Sequence, residues 1–285
     1  MNADPVTTGA GIFLPPGVPF VKGHGTENDF VLLPDLKGTL EVTPEQVRAI
    51  CDRHAGLGAD GVIRVAPAAS DGPAGFVMDY RNADGSLAEM CGNGARVFAR
   101  YLVDAGWAPA GRLTFETRGG IRTAEVPPVG DVTIEMGPVR LGDTSSAKLS
   151  GLEISGVAVD VGNPHLVCLT ELELAGLDLS SQPGFDPAAF PHGVNIEFVT
   201  VVAPDRVAMR VHERGVGETR SCGTGTVAVA AAYLASTGRQ TGTVQVGVPG
   251  GTVRVSIADD DSTLTGPAVV VASGVIDGAF WERHR

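Results

Sequence analysis

The chain has 285 residues, enough for about two domains and for a core that needs no disulfide or metal staple. With 21 Lys and Arg against 33 Asp and Glu, its net charge of −12 argues against a nucleic-acid backbone or an anionic membrane as main partner. Hydrophobic residues at 43% and charged residues at 19% exclude a disordered or fibrous chain, and no apolar run reaches the ~20 residues of a membrane-spanning helix. The stretch Met1 to Gly17 lacks Lys and Arg, so it has no charged leader region. Residues 1–19 read as a flexible extension, and the protein is expected to be cytoplasmic. The four cysteines, Cys51, Cys91, Cys168 and Cys222, form no CxxC pair, so no metal site is expected and each thiol is either buried or reactive.

Taken in chain order, Phe20 to Pro34 reads as strand, polar turn (Gly25-Thr26-Glu27-Asn28-Asp29) and strand. Thr43-Pro44-Glu45-Gln46 is a helix start with a Thr cap, Pro at the first position and Gln at the capping-box position. That helix presents Val47, Ile50 and Cys51 on one face. Strands follow at Val62 to Val65 and Phe76 to Tyr80, then a polar loop from Asn82 to Glu89. After Cys91, residues Val97, Phe98, Tyr101, Leu102 and Ala105 recur at helical spacing, and Gly106 stops the helix.

The second half repeats this plan. Cys222-Gly223-Thr224-Gly225 mirrors Cys91-Gly92-Asn93-Gly94; Met78 and Met209, and Ala99 and Ala230, keep the same separation. Asn28 and Asn163 each precede a strand. A duplicated domain follows, with a boundary near Gly137-Pro138 and a C-terminal run, Ala272 to Trp281, that can return to the first domain. The expected domains are therefore 20–137 with 272–285, carrying Cys91, and 138–271, carrying Cys222.

A cysteine just before a helix faces unpartnered backbone N–H groups and the positive end of the helix dipole, which lowers a thiol pKa. Two such thiols at equivalent places of a duplicated fold suit a proton exchange at a carbon stereocentre. One thiolate removes an α-hydrogen and the other thiol protonates the opposite face. Pyridoxal chemistry needs a Schiff-base lysine, and Lys22, Lys37 and Lys148 lie in no Gly-rich phosphate loop, so no cofactor is expected. The amides of Gly92-Asn93 and Gly223-Thr224 are placed to hold the developing negative charge. Cys51 and Cys168 read as core, and Cys91 and Cys222 are expected to alkylate faster.

Before Cys222, a strand would put Arg210, His212 and Arg214 on one face and Val211 and Glu213 on the other. Arg214 can grip a carboxylate, Glu213 can take an ammonium or bias a thiol proton, and His165 can tune a thiol. Asn28, Asn82, Asn163 and Asn195 sit at turn-like positions and offer both donor and acceptor to a zwitterion.

These segments carry a resemblance. Lys22-Gly23-His24-Gly25-Thr26-Glu27-Asn28-Asp29-Phe30-Val31, Arg53-His54-Ala55-Gly56-Leu57-Gly58-Ala59-Asp60-Gly61, Asn82-Ala83-Asp84-Gly85-Ser86 and Met90-Cys91-Gly92-Asn93-Gly94-Ala95-Arg96 resemble motifs of diaminopimelate epimerases. So do Gly162-Asn163-Pro164-His165, Val194-Asn195 and the run Glu213-Arg214-Gly215-Val216-Gly217-Glu218-Thr219-Arg220-Ser221-Cys222-Gly223-Thr224-Gly225. The resemblance implies a cofactor-independent enzyme interconverting L,L- and meso-2,6-diaminopimelate, in lysine and peptidoglycan precursor synthesis. It implies two pseudo-symmetric α/β (α+β) domains, each a curled, mostly antiparallel sheet around a central helix. The active site would lie in the interdomain cleft, and the enzyme would commonly be a homodimer. Cys91 and Cys222 would be the catalytic thiols, tuned by His165 and Glu213. Asn28, Asn82, Asn163, Asn195, Glu213 and Arg214 would hold the substrate. One departure is Gly61, where many members carry a substrate-contacting Gln. The rivals are a proline or hydroxyproline racemase, for which Arg214 and the asparagines have no second amino-acid end to hold, and a catalytically silent amino-acid-binding protein.

Overall fold

The computed structural model describes residues 16–68 and 72–285. The extension expected before residue 16 lies outside them. The structure is a sheet-dominated α+β fold that divides into two compact units. One holds the described residues of Met1–Gly25 with Asp29–Pro128 and Ala268–Arg285; the other holds Thr26–Asn28 and Val129–Pro267.

The chain opens with β1 (Gly17–Gly25), β2 (Asn28–Pro34), α1 (Pro44–Cys51), β3 (Gly61–Pro67), β4 (Phe76–Asn82), α2 (Gly92–Asp104), β5 (Gly111–Thr117) and β6 (Gly120–Val126). It continues through β7 (Val132–Glu135), β8 (Arg140–Leu149), β9 (Leu152–Asp160), β10 (Pro164–Leu169), β11 (Asn195–Ala203), β12 (Arg206–Glu213), β13 (Gly217–Thr219), α3 (Gly223–Ser236), β14 (Gly242–Val248), β15 (Gly251–Ile257) and β16 (Ser262–Gly266). It then returns to the first unit as β17 (Val269–Asp277) and α4 (Gly278–Arg283).

The two units share one pairing scheme. In the first, β17 runs antiparallel to β1, β1 lies beside β2, β2 is parallel to β3, β3 antiparallel to β4, β4 parallel to β5 and β5 antiparallel to β6. In the second, β8 and β9 are antiparallel, as are β9 and β10; β10 is parallel to β11, β11 antiparallel to β12, β12 parallel to β14 and β14 antiparallel to β15. β1 begins at Gly17, inside the stretch read as an extension, because β17 offers its backbone: Gly17 faces Asp277, Val18 faces Ile276 and Pro19 faces Val275. The chain leaves the first unit at Pro128, ahead of the Gly137-Pro138 pair, because β7 pairs with β16 in the second unit, Ile134 opposite Leu264.

Local sequence explains the helices that position the site. α2 packs on β1, β3, β4, β6 and β17, and α3 on strands that include β10, β11, β14 and β15, so each unit wraps its sheet around one helix. α3, rich in Ala and Val, is buried on every side, as an apolar helix without a polar face must be. Gly106 and Gly238 follow α2 and α3 with φ of 71° and 75°, the left-handed conformation that ends helices. α1 packs on β3 and α4 on β1 and β17, and Cys51 packs in their shared apolar cluster with Val31, Val47, Val62 and Trp281. Cys168 lies in an apolar cluster with Leu166, Ile196 and Phe198.

α1 starts with a complete capping box. Thr43 Oγ1 accepts from the Gln46 amide at 3.2 Å, and Gln46 Oε1 accepts from the Thr43 amide at 2.8 Å. The same two side chains donate to the Trp281 and His284 carbonyls, each at 3.2 Å, and so tie α1 to α4. Thr43→Ala should lower stability by about 1 kcal/mol. Urea unfolding should show this as a lower midpoint at unchanged slope; an unmoved midpoint would mean that the cap contributes nothing.

Candidate active site

Each central helix begins on one of the two predicted cysteines. Cys91 is the N-cap of α2, in extended conformation and half-buried, and its Sγ accepts from the Gly94 amide at 3.5 Å. Gly92 and Asn93 form the first turn behind it, and Asn93 is buried. Gly94 packs tightly there: a Cβ would meet Met78 Cε at 3.0 Å and Ile63 Cδ1 at 3.1 Å, so those side chains would have to shift. Asn82 closes β4 in the same unit, and its Nδ2 donates to Ser86 Oγ at 3.0 Å.

Cys222 is the N-cap of α3 and is buried. Around it the second unit gathers a set of polar groups. The Glu213 carboxyl at the end of β12 accepts from the Thr219 hydroxyl and stands close enough to the Cys222 thiol for each to act on the other's proton. Thr224 Oγ1 lies 3.6 Å from Cys222 Sγ and 3.4 Å from Asn163 Nδ2. His165, fully buried on β10, meets Asn163 Oδ1 with Nε2 at 3.1 Å and Glu197 Oε1 with Nδ1 at 2.7 Å. Gly225 must be glycine, since a Cβ would stand 2.7 Å from Glu197 Oε1 and 3.3 Å from Cys222 Sγ. Asn28, first residue of β2, is buried and belongs with this unit.

Two expectations change. The helix start does not lower the Cys222 thiol. Burial pushes it well above its ordinary range, and the neighbouring Glu213 and Glu197 carboxylates push the same way. The Gly225 amide and the Thr224 hydroxyl oppose them with less effect. Burial likewise raises the Glu213 carboxyl, so both groups hold their protons more firmly than they would in water. The predicted strand face also ends early. β12 stops at Glu213 and turns through Gly215 at φ 76° into β13, so Arg214 sits in the turn rather than beside Arg210 and His212. Its amide donates to Asn195 Oδ1 at 2.9 Å and its guanidinium to the His192 carbonyl at 3.0 Å, while Asn195 Nδ2 donates to the Pro164 carbonyl at 3.2 Å. Arg210 is held by both oxygens of Glu218.

Sequence reasoning missed Glu197. The signal was a single Glu inside the otherwise apolar run of β11, where it is fully buried. The Gly61 departure has a steric cause. A Cβ there would lie 2.6 Å from both the Arg81 carbonyl oxygen and Tyr80 Cε2, and 3.2 Å from the Tyr80 hydroxyl. The Tyr80 ring fills the place a side chain would need.

The family profile described as "Diaminopimelate epimerase" matches residues 20–142 and 157–271. The chain belongs to the diaminopimelate epimerase family. It is similar to the diaminopimelate epimerase of Rhodococcus erythropolis, 51% identical over 92% of this chain and 97% of that one. It is similar to that of Mycobacterium ulcerans too, 51% identical over 93% and 99%. Among solved structures, a Bacillus anthracis phenazine biosynthesis protein of the PhzF family superposes with a TM-score of 0.71 at 16% identity, over 92% of this chain and 99% of that one. A hydroxyproline epimerase from Agrobacterium vitis superposes with a TM-score of 0.65 at 16% identity, over 91% and 93%. These share the fold. The diaminopimelate epimerase family makes this chain an isomerase. Among the described residues no helix is long and apolar enough to cross a membrane.

The buried thiols give a pH test. Burial carries Cys51 and Cys168 from an ordinary value of 9.0 up to about 12, and Cys222 rises too. The unfolded chain therefore releases these protons first. Their contribution to stability is complete below about pH 9 and is lost as pH rises toward about 12. Urea unfolding at stepped pH should show that decline, and Cys168→Ala should flatten it. Mass mapping of alkylated peptides should find Cys222 slow at pH 7 and faster above pH 9; fast labelling at pH 7 would contradict its enclosure.

Proposed function

We propose that this protein interconverts L,L- and meso-2,6-diaminopimelate without a cofactor, using Cys91 and Cys222 as paired acid and base. The observation that carries this reading is the placement of a cysteine as N-cap of the central helix in both units of a repeated topology. Relatives at about half identity that bear the name support the substrate.

In this mechanism a thiolate on one side takes the α-hydrogen as a proton, leaving its electron pair on carbon. The opposite thiol then gives its proton to the other face, and its sulfur keeps the electrons. The sum is an inverted centre and exchanged thiol protonation, so the reverse reaction restores the enzyme. Cys222, buried against two carboxylates, starts as the thiol. The amides of Gly92, Asn93, Gly223 and Thr224 at the helix starts receive the charge that develops on the substrate carboxylate. His165 and Glu213 tune the thiols. The second amino-acid end, which does not react, is held by the side chains of Asn28, Asn82, Asn163, Asn195, Glu213 and Arg214. The enzyme acts in the cytoplasm as a homodimer in lysine and peptidoglycan precursor synthesis.

A proline-type substrate is the rival reading, supported by the paired Cys-Gly-x-Gly turns and by fold likenesses at 14% and 16% identity. Assays with diaminopimelate and with proline separate the two. Cys91→Ala and Cys222→Ala should each cut epimerisation by about 10² to 10⁴-fold. Retained solvent-deuterium incorporation at the α-carbon in both variants would refute the assignment.

A further inference from the structure

Glu197 lies on β11, flanked by β10 and β12, with its side chain wholly enclosed. Its Oε1 meets His165 Nδ1 at 2.7 Å, and its Oε2 has no hydrogen-bond partner among the described residues. From His165 a line of contacts leads to the sulfur. Nε2 meets Asn163 Oδ1 at 3.1 Å, Asn163 Nδ2 meets Thr224 Oγ1 at 3.4 Å, and Thr224 Oγ1 meets Cys222 Sγ at 3.6 Å.

With Asn163 oriented as it stands, the chemistry of each group gives this line one direction. An amide oxygen only accepts, so His165 Nε2 carries a hydrogen. The Asn163 NH₂ donates to the Thr224 oxygen, which leaves the hydroxyl hydrogen to point at Sγ. A hydroxyl hydrogen aimed at sulfur favours thiolate.

His165, Asn163 and Thr224 do not set that direction by themselves. A neutral imidazole holds one hydrogen. If it sat on Nδ1, Asn163 would turn its NH₂ toward Nε2 and its oxygen toward Thr224, and the sulfur would lose its donor. The group facing Nδ1 decides. A net negative charge on the enclosed His165–Glu197 pair is costly, because no described residue donates a hydrogen bond to Glu197 Oε2. With one proton shared across the 2.7 Å contact between Oε1 and Nδ1, Nε2 keeps a hydrogen of its own for the Asn163 oxygen that faces it.

We propose that Glu197 is a positioning residue for Cys222: by sharing one proton with His165 it orients Asn163 and Thr224 so that a hydroxyl hydrogen meets the sulfur as it ionises. This rests on the reading of Cys222 as a reacting thiol. The other titratable groups close to the line are Glu213, which faces Cys222 from β12, and Cys168 on β10, within electrostatic reach of Glu197.

The test uses the full chain with Glu197→Gln, Glu197→Met, Thr224→Val and the Glu197→Met/Thr224→Val double variant. Nitrogen-15 spectra of the resting wild-type protein at pH 7 should show a hydrogen on His165 Nε2; a bare Nε2 overturns the proposal. Glu197→Met should lower kcat about tenfold or more with little change in KM, since Glu197 acts on the sulfur and not on substrate binding. Gln can donate to Nδ1 and should recover most of the rate. The double variant should be no slower than the slower single variant, whereas additive losses would show that Glu197 does not act through Thr224. The spectra need no turnover, so an error about Glu197 and an error about Cys222, read from Cys222→Ala, give different results.

Discussion

Water is kept from the Cys222 sulfur, and that exclusion sets the terms for every group around it. A thiol, the Glu197 carboxyl and an imidazole are buried in one neighbourhood of the second unit, with the half-buried Glu213 carboxyl beside them. Burial and the neighbouring carboxylates make the Cys222 thiol costly to ionise, because little solvent reaches it to absorb the charge. Proton positions in such a set are coupled, so apparent titration values belong to the cluster. The backbone makes this possible. The parallel pairing of β10 with β11 and the antiparallel pairing of β11 with β12 line up His165, Asn195 and Glu197 beside the end of β12, where Glu213 stands.

The two units repeat a backbone but not a chemistry. Phe30 faces Gly61 and Gly61 faces Asn82 across β2, β3 and β4. The register-equivalent positions on β10, β11 and β12 are His165, Asn195 and Glu213. Ile63, two residues beyond Gly61, occupies the place that Glu197 holds in the second unit. The first unit therefore surrounds its cysteine helix with Phe30, Ile63 and Met78, whereas the second surrounds its own with ionisable groups. Cys91 is half-buried and Cys222 buried, so the same helix start delivers two different sulfurs.

What was legible in the sequence was local. The Thr43 capping box, both Cys N-caps and the glycine stops after α2 and α3 depend on residues a few places apart, and all form. The repeat was legible because equivalent motifs recur in order. What was not legible depended on partners far along the chain. The dipole argument for Cys222 treated the helix start alone and left out the enclosure built by three strands. Glu197 reads as an interruption in a strand until β10 is known to lie beside it. Arg214 fell outside its expected face because left-handed Gly215 turns the chain there.

The first unit is closed by the last part of the chain. β1 pairs with β17, and α1 is tied through Thr43 and Gln46 to the carbonyls of His284 and Trp281. As the polypeptide emerges from the ribosome, β1 waits for a partner strand that is synthesised after nearly all of the second unit. The second unit, almost wholly one continuous stretch, can complete its sheet first. Newly made protein therefore passes through an interval in which one half is finished and the other still has an unpaired edge, the kind of strand that invites mispairing between neighbouring nascent chains.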